Sequence, residues 1–305
     1  MMEVLSNPGN LSIDIQLLKS QLFEKHSVSV YMLRLDAIHP IVSGNKIFKL
    51  RYFLEEAKNS SHKKIITFGG AYSNHLAATA YACKSAGLKS TGFIRGEKPK
   101  QLSHTLRFCL ENEMQLEFIS RDLYKEINEE EFQPELIKKY GNHILIPEGG
   151  FSQKGVEGAK LICSYFNHKK FTHVCCAVGT ATTFSGLIHG SNNEMENIGF
   201  SVLKNLHDID ERLTLLQVPS SKKYSVVHDY HFGGYAKKNN ELISFMNSFY
   251  ESNKIPLDFV YTSKMMFGIY DLIEKNYFPA GSKILCIHTG GLQGNKSLSE
   301  RMLNF

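Results

Sequence analysis

Short apolar runs alternate with segments whose apolar residues recur every three to four positions over most of the chain. The runs predict strands over Ser29–Leu33, Lys64–Phe68, Ser90–Ile94, Gln115–Ile119, His143–Ile146, His173–Val178, Gly199–Leu203, Ser225–Val227 and Lys283–Ile287. The periodic segments predict helices over about Lys46–Ala57, Asn74–Ala86, His104–Glu113, Gln153–Phe166, Thr183–His189, Asn239–Tyr250 and Lys264–Lys275. Helix-length spacers between strands are the mark of crossover connections, so the pattern predicts parallel sheets with helices on both faces. The run VCCAV within His173–Val178 is apolar at every position, as a strand buried on both sides requires.

Four predicted strands run straight into a glycine turn: IITFGG, ILIPEGG, VCCAVGT and ILCIHTGG. Ligands of open parallel sheets bind outside the carboxyl ends of the strands. Any one of these turns could be a plain tight turn, but four at the same strand end point to a shared cleft.

Composition narrows the class. A formal charge of +5 is carried by lysines grouped at most in pairs, such as Lys63-Lys64 and Lys237-Lys238, which is a solvated surface and not a nucleic-acid stripe. No apolar run approaches the roughly 18 residues of a membrane span. The first residues, MMEVLSNPGNLSIDIQ, lack a basic and an apolar region, so a cytoplasmic location is expected. Cys83, Cys109, Cys163, Cys175, Cys176 and Cys286 have no C-x-x-C spacing, and neither a metal site nor a disulfide framework is expected.

Three segments carry candidate chemistry. In FGGAYSNHL, Ser73 can cap a helix starting at Asn74, whose free first-turn N–H groups suit a carboxylate, although a plain N-cap reads the same way. In AVGTATTFSG, a strand ends at Gly179, and Thr180, Thr182 and Thr183 precede a helix, which makes a phosphate cup of backbone N–H groups and hydroxyls. The loop has neither the lysine of a nucleotide-triphosphate loop nor a dinucleotide G-x-G-x-x-G, so the phosphate of a small cofactor is the better reading, with an ordinary capped helix as the other. In SGNKIFKLR, Lys46 lies within about one turn of Lys49 and Arg51. A lysine held among cations and desolvated has a lowered pKa and becomes nucleophilic, but on spacing alone a helix-start lysine is ordinarily a surface residue.

The motifs SGNKIFKL, GGAYSNHLAATA, PEGGFSQKGVEGA, AVGTATTFSGL, GGYAK, VYTSK and IHTGG occur in the order seen in one group of enzymes. From about Val30 to Gly291 the chain resembles the 1-aminocyclopropane-1-carboxylate (ACC) deaminase/D-cysteine desulfhydrase family, of the tryptophan-synthase-β-like pyridoxal-phosphate (PLP) fold, fold type II. That resemblance implies a two-domain α/β protein. Its smaller domain would be residues 47–147, and its larger, discontinuous one 1–46 with 148–305. It implies PLP as cofactor, a small amino acid as substrate, and a homodimer.

By position, Lys46 would carry the cofactor covalently and move the substrate Cα proton, with Lys49 helping at the phosphate. Asn74 would meet the cofactor's phenolic oxygen, while Ser73, Asn74 and His75 would bind substrate, with Ser73 also a candidate nucleophile. Val178, Gly179, Thr180, Ala181, Thr182 and Thr183 would cradle the phosphate, Tyr235 and Tyr261 would be the catalytic tyrosines, and Thr262 and Thr289 would lie near the pyridine nitrogen. Ala181 replaces a common glycine, LRLDAIHPIVSGNK departs from the usual opening before GNK, and the segment after GGLQGNKSL lacks the usual proline-alanine pair.

The resemblance also implies a reaction. The deaminase branch has an acidic residue after the VY tyrosine and an apolar residue before the last GG, where this chain has Thr262 and Thr289. A neutral hydroxyl favours pyridine protonation less than a carboxylate does. The expected reaction is therefore D-cysteine desulfhydrase-like β-elimination to pyruvate, ammonia and sulfide. ACC ring opening to 2-oxobutyrate and ammonia is the alternative. A catalytically weak PLP- or metabolite-binding protein is the reading from another class. A dehydratase or β-replacement synthase fits the SNH loop and the tyrosine pair less well.

Overall fold

The computed structural model describes residues 11–61, 63–127, 133–204 and 208–305. Its strands are β1 (Ile15–Leu17), β2 (Ser29–Leu33), β3 (Lys64–Gly69), β4 (Lys89–Arg95), β5 (Met114–Ile119), β6 (Ile144–Ile146), β7 (His173–Val178), β8 (Glu196–Ser201), β9 (Tyr224–Val227) and β10 (Lys283–Ile287). They form a six-stranded sheet, β1-β2-β10-β7-β8-β9, and a four-stranded sheet, β5-β4-β3-β6. Among the described residues every pairing is parallel except β1 with β2, and helices connect successive strands, so the fold is α/β with mostly parallel sheets.

The alternation of side chains along a strand explains why the central strands are apolar throughout. Val174, Cys176 and Val178 of β7 point into one core with Leu285 and Ile287 of β10. Cys175 and Ala177 point into another with Ile284 and Cys286. The six cysteines are buried and unpaired, as small apolar side chains, and burial pushes the thiols of Cys83, Cys109 and Cys163 up to about 12.

The helix Gln153–Lys160 lies tight on the helix Asn45–Asn59 and on the Glu148–Gly150 turn. A Cβ on Gly158 would meet the Phe48 carbonyl oxygen at 2.1 Å, and one on Gly155 the Gly150 carbonyl oxygen at 2.0 Å. The glycines of PEGGFSQKGVEGA therefore set how closely the helix bearing Lys46 is held.

Three local expectations need correction. β8 starts and ends earlier than the predicted Gly199–Leu203, because the polar Asn197 is enclosed, bonded to Ser191 Oγ (2.8 Å) and the Lys223 carbonyl (3.1 Å). The predicted helix Gln153–Phe166 turns into a 3-10 helix over Leu161–Tyr165. The edge strand β1 and the helices Gln21–Lys25, Arg121–Ile127 and Gln133–Tyr140 were not predicted from the sequence pattern. Among the described residues no helix is long and apolar enough to cross a membrane.

Candidate active site

The four glycine turns meet around Lys46. This lysine lies in the first turn of the helix Asn45–Asn59, behind Gly44 at φ +65°. A Cβ on Gly44 would lie 1.9 Å from the Thr289 carbonyl oxygen, so only glycine lets the turn after β10 come this close. The contact is bonded immediately after Gly44, with Asn45 N donating to Thr289 O (3.3 Å) and Lys46 Nζ donating to the same oxygen (3.3 Å). Asn45 Nδ2 donates to Thr183 Oγ1 at 2.7 Å and so ties the helix start to the threonine loop after β7.

Lys46 and Lys49, one helical turn apart, are both buried, and among the described residues neither ammonium has a carboxylate within 4 Å. Burial lowers Lys46 to about 8, against an opposing pull from Asp258. Burial, then repulsion from Lys46, lowers Lys49 to about 7. Lys49 Nζ donates to the Gly149 carbonyl at 2.7 Å, in the turn after β6.

Facing these lysines is the loop after β7. Val178 ends the strand, and Gly179 and Thr180 lead to Ala181, which caps the helix Thr182–Gly190 at φ +69°. Ala181 thus keeps the left-handed conformation that glycine adopts freely, at a cost of about 1 kcal/mol. Thr180 and Thr182 share a hydroxyl contact at 3.1 Å, and Thr182 and Thr183 are buried. A Cβ on Gly149 would lie 2.7 Å from the Thr180 side chain, so the turns after β6 and β7 touch.

The turn after β3 supplies Ser73, whose Oγ accepts from Leu76 N at 3.2 Å and caps the helix Asn74–Ser85. Asn74 is buried, its Oδ1 without a partner, and its amide lies against Gly291. Thr67 Oγ1 donates its one proton to the Ile146 carbonyl (2.9 Å), so His75 Nε2, 2.9 Å away, must be the donor to Thr67. His75 Nδ1 is left as a buried, unpartnered acceptor. Burial, then Lys49 and Lys46, lowers this histidine to about 3 and keeps it neutral.

Tyr261 and Tyr235 meet edge to face, with centroids 6.0 Å apart and hydroxyls at 3.4 Å. Tyr261 lies under the Lys46 ammonium (5.6 Å to the ring centroid), whereas Tyr235 is 41% exposed. Burial, with the neighbouring Tyr235 and Asp258, pushes Tyr261 well above the usual phenol range. Thr289 reaches the site through its carbonyl. Thr262 is fully buried, its hydroxyl donating to Asp258 Oδ1 (2.7 Å) and accepting from Asp258 N (3.0 Å).

Asp258, Asn45 and Lys264 escaped the sequence reading. Asp258 Oδ2 accepts from Val260 N (3.0 Å) and Tyr261 N (2.8 Å), and Oδ1 accepts from Thr262 N (2.9 Å), so it shapes the VYTSK turn. An Asp one to four residues before a helix start is a capping signal that could have flagged it. Lys264 Nζ donates to the carbonyls of His231 (2.9 Å) and Gly234 (2.7 Å) and holds the loop bearing Tyr235. Among the described residues no three His, Cys, Asp or Glu side chains are grouped to hold a metal ion.

Two buried ammonium groups without carboxylates, an orphaned Asn74 amide oxygen and a threonine cup together fit an anionic cofactor with a ring. The comparisons agree. The family described as pyridoxal-phosphate dependent enzyme matches residues 13–290. A Thermotoga maritima protein provisionally named 1-aminocyclopropane-1-carboxylate deaminase is 32% identical, over 95% of this chain and 96% of its own. An Arabidopsis thaliana protein named bifunctional D-cysteine desulfhydrase/1-aminocyclopropane-1-carboxylate deaminase, mitochondrial, is 30% identical, over 83% of this chain and 70% of its own. A solved structure described as an ACC deaminase homologue superposes with a TM-score of 0.79 at 28% identity, over 93% of this chain and 91% of that one.

Proposed function

Because the chain belongs to the pyridoxal-phosphate-dependent enzyme family, we propose that it is a deaminating lyase that eliminates sulfide from D-cysteine, giving pyruvate and ammonia. Lys46 carries this proposal: a buried amine lowered to about 8, in contact with the Thr289 carbonyl and Tyr261, is deprotonated often enough near neutral pH to bind a carbonyl and to move a proton.

When bound, PLP supplies an electron sink for the charge left at the substrate Cα. The residues present divide the remaining work. Lys46 is the attachment point and then takes the Cα proton. Lys49 and the Val178–Thr183 loop would hold the phosphate, whose negative charge would raise the lowered pKa of Lys49. Asn74 would meet the ring hydroxyl, Ser73 and the start of its helix would hold the substrate carboxylate, and His75 offers Nδ1 as an acceptor. Tyr261 and Tyr235, kept protonated, orient the substrate's leaving side. Thr262 takes part through Asp258.

Residues 47–147 form the smaller domain in this proposal, since all four strands of the second sheet lie between Lys64 and Ile146; residues 1–46 and 148–305 form the larger. A cytoplasmic setting is in line with the relatives from Pyrococcus and Thermotoga.

A second reading, ACC ring opening to 2-oxobutyrate, is favoured by the provisional names of the archaeal and Thermotoga relatives. The purified protein, given D-cysteine, L-cysteine and ACC in parallel, decides between them. Sulfide and pyruvate from D-cysteine, with little 2-oxobutyrate from ACC, are expected. Faster 2-oxobutyrate release from ACC would reverse the order of the two readings. Labelling of Lys46 by borohydride without turnover of any compound would identify a binding protein.

A further inference from the structure

A cavity of about 460 Å³ opens between the start of the helix His104–Glu111 and the 3-10 turn Leu292–Ser297. It falls within the roughly 300–1,000 Å³ of small-molecule sites and is far larger than an inorganic ion needs. Pro40, Ile41, Phe108 and Leu292 give it an apolar side. Its polar side is rich in unused donors. Thr105 is 2% exposed, and its hydroxyl has no hydrogen-bond partner. Gln293 Nε2 is likewise buried and unpartnered, whereas the His104 ring is bonded to the Gln293 backbone. Arg107 and Lys296 also line it, and among the described residues neither has a carboxylate within 4 Å. Glu111 offsets one of these charges and leaves a net positive one. Ser103 Oγ caps this helix through Leu106 N at 3.1 Å.

Leaving a buried donor unpaired costs about 1–3 kcal/mol, so a cluster of them beside two free cations is a site awaiting an acceptor with negative charge. An acidic ligand with an apolar body satisfies both sides, its carboxylate meeting the Arg107 guanidinium and the Thr105 hydroxyl. We propose that this cavity binds a small carboxylic acid with an apolar body, separately from the site around Lys46. The two are neighbours: a second cavity of about 110 Å³, lined by Lys46 and Asn74, shares Pro40, Ile41, Leu292 and Gln293 with it.

Calorimetric titration of the holoenzyme with phenylacetate, its neutral analogue phenylacetamide and inorganic phosphate tests the proposal. One phenylacetate per chain is expected, with phenylacetamide at least tenfold weaker. Arg107→Gln, at an exposed position, should weaken phenylacetate binding tenfold or more, and the isosteric Thr105→Val by severalfold. Ser73→Ala should leave it unchanged, because Ser73 belongs to the other site. Equal binding of acid and amide, or no binding, overturns the proposal. So does binding lost in Ser73→Ala but kept in Arg107→Gln, which would place the acid in the substrate pocket. Displacement by phosphate at equal concentration would overturn the carboxylate assignment in favour of a general anion site.

Discussion

Lys46 and Lys264 share an environment and differ in what surrounds the ammonium. Both are buried, both are lowered by burial to about 8, and both feel the opposing charge of Asp258. Lys264 spends its protons on two carbonyls at 2.7 and 2.9 Å and joins the VYTSK helix to the loop carrying Tyr235. Lys46 has one long contact at 3.3 Å and an aromatic face. Burial alone therefore does not make a reactive amine. Unused coordination does, and the depressed pKa belongs equally to a structural strut.

Removal of each lysine separates the two roles. Lys46→Ala should lower turnover by at least about a thousandfold while the circular dichroism spectrum stays native, since the lost group is chemical. Borohydride labelling should vanish with it. Retained labelling at another lysine would break the comparison.

The proton balance of the cofactor-free protein gives the next effect. Lys46, Lys49 and Lys264 titrate at about 8, 7 and 8 when folded and near 10.5 when unfolded. Between about pH 7 and 9 the unfolded chain binds more protons, so stability should rise with pH across that window, by a few kcal/mol. Above about pH 9 the buried thiols of Cys83, Cys109 and Cys163, held protonated to about 12 in the folded chain, oppose the rise, because the same thiols ionise when the chain unfolds. Urea denaturation at several pH values measures it, and Lys49→Met should remove the part that begins near pH 7. A flat profile in the wild type would mean that these amines are hydrated.

Lys264→Met should cost about 3 kcal/mol, because it strands two carbonyls, and should raise KM more than it lowers kcat. Complete loss of labelling at Lys46 in this variant would erase the distinction drawn above. Asp258→Asn sharpens it further. The substitution weakens the bonds to Val260, Tyr261 and Thr262, at about 2 kcal/mol, and removes the charge that holds both lysines up. Lys46 in the cofactor-free variant should then titrate below about 8, measured as the pH dependence of its reductive methylation. An upward shift would contradict the assigned role of Asp258. Ala181→Gly should give the smallest change, a gain of about 0.5–1 kcal/mol in stability from relief of the left-handed strain, with turnover unaltered.

Most of the frame was legible because apolar runs and helical periods record burial directly. β7 and β10, buried on both faces, were found to the residue. β8 was misplaced because Asn197 reads as a loop residue until Ser191 and Lys223 are seen to satisfy it. The three residues of β1, half-buried at a sheet edge, carry too short a pattern to register. At the site, the Val178–Thr183 loop stood out through glycine and hydroxyl spacing, whereas Lys46 and Lys49 were legible only through the family resemblance, because on spacing alone a helix-start lysine is ordinarily a surface residue. Asp258 and Lys264 did not, since a charged residue in an apolar stretch says nothing of which distant carbonyls or amides it will meet. Thr262 was expected from the family resemblance, but its commitment to Asp258 depends on the turn that both residues build.

The position of β10 has a consequence for the order in which this molecule can be made. The strand is nearly the last of the chain, yet it lies in the interior of its sheet, between β2 and β7. The oxygen that receives Lys46 follows two residues after it, 243 positions along the chain from the lysine. While the ribosome is still adding the C-terminal residues, β2 and β7 have no strand between them, and the Lys46 amine remains in water as an ordinary cation. Long-range parallel pairing of this kind forms late and slowly. In the proposed reading, capture of the cofactor at Lys46 waits for β10, and a chain ending before that strand should remain colourless.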